Sequence, residues 1–191
     1  MSRTAPARRN SRMRMNEHMK SIRLGAEFYA MRAPVAAPAL LGKLLCVRQD
    51  DGSIMRCRIT ETEAYFGEDD SACHARRGKT GRTEVLYMSG GTAYVYLCYG
   101  MHRLFNVVTG FEGFPEAVLV RAVDGHDGPG RLTKHMGITM SHNREDLLSA
   151  DRLWIEDDGY EAAYSVFPRV GIAYAVKADR ERLWRWRANG K

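Results

Sequence analysis

Thr92-Ala93-Tyr94-Val95-Tyr96-Leu97-Cys98-Tyr99-Gly100-Met101-His102 runs directly into Arg103-Leu104-Phe105-Asn106-Val107-Val108. Aromatic and β-branched residues crowd both halves, and a glycine stands between them. That pattern predicts a strand, a tight turn and a second strand. A turn centred near Met101 sets Tyr96 opposite Asn106 with their side chains on one face. Tyr99 falls beside Gly100 at the tip, where the pleat need not hold.

Further strand-like runs cover residues 44–48, 55–66 and 117–123. Short helices are expected at 28–31 and 35–45, with Pro34 and Pro38 near helix starts. Gly128-Pro129-Gly130 breaks the chain before a short helix at 131–136, and Asn143 is placed to cap a helix through 148. Residues 164–167, 171–175 and 183–187 read as closing strands. Helices in front, strands in the middle and mixed elements behind predict an α+β fold. The chain has 191 residues, 45% of them hydrophobic. That suits one domain, assigned to residues 23–191, with a sizeable core.

The net charge is +6, and residues 1–24 carry seven basic residues against one acid. The whole surplus therefore lies there, and the remainder is balanced. Residues 1–22 read as a basic, solvated, disordered tail; a DNA-attracting arm or an Arg-rich targeting peptide are the other readings. No apolar run is long enough for a membrane span. Cys46, Cys57, Cys73 and Cys98 match neither a zinc knuckle nor a redox pair. They read as reduced thiols of an intracellular protein, and no metal site is expected.

Three clusters could carry chemistry. In Glu61-Thr62-Glu63-Ala64-Tyr65 the odd positions share one face of a strand. Acids are disfavoured in strands, so the pair is either a solvated face or a site. The tyrosines of the hairpin either fill a core or present two aromatic positions, one on the sheet and one at a tip. His74-Ala75-Arg76-Arg77-Gly78-Lys79-Thr80-Gly81-Arg82 is either a solvated loop or a phosphate-contacting one, with Arg76, Lys79 and Arg82 as the contacts. Together they match the needs of an enzyme that extrudes a base from a duplex. Such an enzyme uses aromatic faces to hold the base, a wedge to fill the gap and a carboxylate to activate water.

The sequence resembles the alkyladenine (3-methyladenine) DNA glycosylases of the mammalian type. The resemblance runs from about Gly25 to Trp186. It rests on Ile59 through Tyr65 with His74 beyond, Tyr94 through His102, Asn106-Val107-Val108, Val118 through Ala122, Gly128 through Leu132, Arg169 through Ile172 and Trp184-Arg185-Trp186. It implies a single compact domain with a curved, mostly antiparallel sheet and surrounding helices. Glu63 is then the general base, and Arg121 helps hold the water, with the Val170 carbonyl assisting. Tyr65, His74 and Tyr96 enclose the flipped base, and Asn106 rejects the amino group of guanine. Tyr99 intercalates. The implied activity is monofunctional base-excision repair of alkylated or deaminated purines (3-methyladenine, 7-methylguanine, hypoxanthine) in double-stranded DNA. It works as a monomer without cofactor, in cytoplasm or nucleoid of a bacterium or the nucleus of a eukaryote. The chain departs from the family pattern at Thr83, where asparagine is usual, and at Gly90, where proline is usual. It also departs at Arg131 and Leu183. The rivals are a catalytically silent damaged-DNA-binding module and a carboxylate hydrolase of free nucleosides or sugars.

Overall fold

A computed structural model describes residues 21–189. The expected tail lies outside the described residues except for Ser21 and Ile22. Those two are held by the fold: Ile22 lies in β1 (Ile22–Arg23), and Ser21 donates to Glu156 at 2.6 Å.

One sheet organises the molecule. The long strand β3 (Ile54–Phe66) lies at its centre. Its first half pairs with β2 (Leu44–Arg48), and Glu61, Thr62 and Glu63 pair with β10 (Arg185–Ala188) on the same edge. The other edge pairs with β6 (Glu116–Val123), which is followed outward by β5 (His102–Val108) and β4 (Ala93–Cys98). All of these pairings are antiparallel. β8 (Leu153–Asp157) lies between β1 and β2, β7 (His126–Asp127) pairs with β6, and β9 (Tyr164–Phe167) pairs with β10. The α+β class and the single domain expected from the sequence are what the structure has.

Two short helices, α1 (Ala26–Tyr29) and α2 (Ala33–Ala39), cover one face. Alanines in α2 allow close approach, and the Thr62 hydroxyl donates to the Ala37 carbonyl at 2.8 Å. Tyr29, Leu40, Leu45, Ile59 and Phe105 fill the core beneath, with Leu132 and Met136 from α3 (Pro129–Met136). Proline at the first position of α3 and Gly137 in the left-handed conformation after its end follow the usual asymmetry of helix ends.

Several expected elements differ. The second helix stops at Ala39 instead of reaching residue 45, and Pro38 lies inside it. No helix starts at Asn143. Its side-chain carbonyl instead accepts from the Val95 amide at 3.0 Å, and Arg144 takes a positive φ of 73°. Residues 171–175 form a turn, because Gly171 has φ 77° and the Ala175 amide closes onto the Ile172 carbonyl. The last strand begins at Arg185, not at 183. β8 carries no strand signal that the sequence reading recognised. The hairpin register also shifts by two residues: Tyr94, not Tyr96, faces Asn106, and Tyr96 faces Leu104. A shift of two preserves the face, so Tyr96 and Asn106 still lie on the same side.

Candidate active site

Alternation along β3 turns Glu61, Glu63 and Tyr65 away from α2. A register irregularity between Ile59 and Thr62 places Arg121 of β6 across from the two acids. Its Nη1 lies 3.3 Å from Glu63 Oε1 and its Nε 3.4 Å from Glu61 Oε1. Arg185 of β10 donates to Glu61 at 2.8 Å. Glu63 is fully buried. One carboxylate oxygen accepts from the Val170 amide at 2.7 Å, the other from the Tyr65 hydroxyl at 2.8 Å. Burial pushes its pKa up, against the opposing pull of Arg121 and the two donors. Arg121 Nε is buried and donates to nothing among the described residues. A buried, unused N–H beside a carboxylate is a ready partner for a polar atom of a reactant.

Above this group opens a cavity of about 400 Å³, within the usual size of small-molecule sites. Tyr65, His74, Tyr96, Asn106, Arg121 and Val170 all line it. His74 lies at the start of a single 3₁₀ turn, His74–Arg77, and meets Tyr96 edge-on with centroids 4.6 Å apart. Its Nδ1 is 3.1 Å from the Tyr94 hydroxyl. Burial, reinforced by Arg82 and Arg76, lowers the His74 pKa to about 4, so the ring is neutral at pH 7. The Asn106 amide donates to the Tyr94 carbonyl at 3.1 Å, which fixes its orientation. An aromatic cleft with Arg82 and Arg121 in its wall, over a buried, doubly hydrogen-bonded carboxylate, can hold a flat heterocycle and deprotonate a water beside it.

The family model for methylpurine-DNA glycosylases matches residues 27–127 and 124–191. The chain belongs to that family. It is 48% identical over 173 residues to a protein of Myxococcus xanthus named "Putative 3-methyladenine DNA glycosylase", covering 84% of this chain and 89% of that one. A protein of the same name from Rickettsia felis is 41% identical over 174 residues, covering 87% and 93%. The protein is thus an enzyme, a DNA glycosylase of the methylpurine class. Among its described residues no helix is long and apolar enough to cross a membrane.

The glycosylase presents Tyr99 at the tip of the β4–β5 hairpin, 88% exposed beside the cavity mouth. Tyr99 and Gly100 both have positive φ, 50° and 71°. Arg76 and Lys79 are exposed beyond His74, with Arg76 over the ring of Tyr174 at 4.8 Å. Arg82 is exposed too, and it also lines the cavity, with its guanidinium 5.1 Å from the centre of the Tyr96 ring. The loop is fastened rather than loose. Thr83 accepts from the Thr80 amide and donates to the Gly78 carbonyl, at 2.8 and 3.0 Å. At Gly90 a Cβ would lie 2.3 Å from the Tyr29 carbonyl oxygen, so this backbone has no room for a side chain there.

Sequence reasoning missed Tyr94, Tyr174 and Ile172 as wall residues, and it missed the partners of Glu61. Tyr94 was detectable, since it shares strand parity with Tyr96. Tyr174 was hidden by the false strand at 171–175.

Proposed function

We propose that this glycosylase turns an alkylated or deaminated purine nucleotide out of duplex DNA into the cavity, and that water activated by Glu63 hydrolyses its N-glycosidic bond. The observation that carries the reading is the placement of the fully buried Glu63. It accepts hydrogen bonds from Tyr65 and Val170 and is ion-paired with Arg121, all three lining residues, beneath an aromatic cleft.

Tyr65, His74 and Tyr96 hold the base, each stack contributing roughly 1–3 kcal/mol. Tyr99 fills the gap it leaves. Asn106 meets the exocyclic amino group of a normal guanine. The bond from C1′ to the base nitrogen breaks, and the base leaves with the electron pair. The water oxygen bonds to C1′ and its proton passes to Glu63. Arg121 orients that water. A cationic base such as 3-methyladenine or 7-methylguanine leaves neutral, and electron-rich rings favour it while it is bound. Hypoxanthine needs a proton before it leaves well. Among the described lining residues there is no lysine to form a Schiff base, which supports a monofunctional reaction ending at an abasic site.

The exposed Arg76 and Lys79 contact phosphates on one side of the hairpin tip. His102 and Arg103, with Arg131 and Lys134 of α3, offer basic groups on the other. α3 is seated there by the Thr133 hydroxyl, which donates to the Arg103 carbonyl at 2.7 Å. The enzyme acts as a monomer wherever the cell keeps its DNA.

The test is a duplex with one hypoxanthine, run beside release of 3-methyladenine from alkylated DNA, with alkali to cut abasic sites. Alkali-dependent cutting supports the reading. Tight lesion binding with no base release would favour a silent damaged-DNA-binding module.

A further inference from the structure

Arg169 precedes Val170, whose amide holds Glu63. Its side chain is wholly buried and forms a two-pronged pair with Asp70, Nη1 at 2.6 Å and Nη2 at 2.8 Å. Nη1 also donates to the Ala64 carbonyl at 2.9 Å, and Nη2 to the Asp179 carbonyl at 3.3 Å. The guanidinium carbon lies 4.9 Å from the centre of the Tyr65 ring and 5.1 Å from that of Trp184.

The partners of this one cation stand behind three separate stretches that line the cavity, at Tyr65, at 72–74 and at 170–174. Ala64 and Tyr65 are the end of β3. Asp70 organises the approach to His74: its carboxylate accepts from the Phe66 and Ala72 amides, and its carbonyl from the Cys73 amide at 2.8 Å. Asp179, almost fully buried, accepts from both the amide and the hydroxyl of Ser71. It closes the segment that carries Val170, Ile172 and Tyr174, and the Tyr174 hydroxyl returns to the Ala72 carbonyl at 2.8 Å. A buried pair of this kind is a poor investment for stability alone, because desolvation offsets most of its attraction. A planar fork that bonds and stacks in several directions at once is something a lysine does not supply.

We propose that Arg169, locked by Asp70, is a positioning residue. It backs the face of Tyr65 and sets the Val170 N–H on Glu63, so that stacking wall and general base are held in one register. The proposal rests on Glu63 acting as the base. Withdrawal of the Val170 N–H removes a bond to the charged carboxylate, which makes Glu63 harder to ionise.

The test compares wild type with Arg169→Lys in single-turnover base release across pH 5 to 9, normalised to active enzyme, with lesion-DNA affinity and Tm measured alongside. The expected result is at least a tenfold slower release at pH 7, with the acid limb displaced to higher pH and partial recovery at alkaline pH. A merely structural role lowers Tm and the active fraction but leaves the limb where it was, and that outcome overturns the proposal. If Arg169→Lys fails to fold, Val170→Pro removes the N–H directly, along with the valine side chain. It should displace the limb in the same direction, and an undisplaced limb overturns the proposal. A wild-type protein that releases no base overturns the functional reading and this proposal together. An active wild type with unmoved variants overturns this one alone.

Discussion

The phenol of Tyr65 donates a 2.8 Å hydrogen bond to Glu63, two residues earlier on the same strand. The same ring lines the cavity, so one residue both forms the wall and favours the ionised form of Glu63. Tyr65→Phe keeps the wall and removes the donor. Since the lost bond favoured the ionised carboxylate, the Glu63 pKa rises further above its ordinary value. Lesion binding should change little. Base release at pH 7 should fall about tenfold, within the span of general-base effects, and recover as pH is raised. A pH–rate profile of both proteins checks this.

Glu63→Gln should abolish measurable base release, by roughly 10²–10⁴-fold, while leaving lesion binding intact. Burial raises the Glu63 pKa, which means the folded state carries its charge at a cost. The neutral amide still accepts from Val170, and Arg121 retains Glu61. Tm should therefore hold or rise. Gel-shift and thermal melting measurements would expose the opposite result, joint loss of binding and stability, as a structural role for Glu63.

His74 gives a pH-dependent stability of definite sign. Its folded pKa of about 4 lies below the ordinary 6.5. The unfolded chain therefore takes up the proton first as pH falls. The stabilisation is complete above about pH 6.5 and is lost as pH drops towards 4, on the order of 2 kcal/mol after allowance for partial exposure. His74→Gln should flatten the urea-unfolding midpoint across that window. An equally steep dependence in the variant would locate the effect elsewhere.

Tyr99 holds φ 50° with its side chain in solvent. A bulky residue loses of order 1 kcal/mol to that conformation, and at 88% exposure little burial offsets it. Tyr99→Asn, which suits positive φ, should raise Tm slightly and weaken lesion-duplex binding about tenfold, in line with the loss of one stack. Loss of stability together with unchanged binding would remove Tyr99 from the wedge role.

Alanine at Arg76 or Lys79 should weaken binding to damaged and undamaged duplex alike. Each should reduce the slope of log affinity against log salt by about 0.9, one phosphate contact. Arg82→Ala should behave differently. Its guanidinium lies over Tyr96 in the cavity wall, so it should impair damaged duplex more than undamaged. Titrations at several salt concentrations separate the two patterns.

Strand alternation alone put Glu61, Glu63 and Tyr65 on one face, because side chains in a strand repeat every two residues whatever they pack against. The same rule kept Tyr96 and Asn106 together although the hairpin register was misjudged. Glycine and tyrosine at the hairpin tip marked the exposed ring, and helix punctuation marked α3. The tertiary structure alone decided that Arg121 reaches both acids, since that depends on a register irregularity between β3 and β6. It decided too that the Val170 amide, Asp70 and Arg169 converge on the site, that Arg82 lies over Tyr96, and that Asn143 serves β4 instead of starting a helix. Those pairings join residues far apart in the chain. Local periodicity carries the direction of a side chain, whereas its partner is fixed only when the sheet closes and the competing contacts have been made.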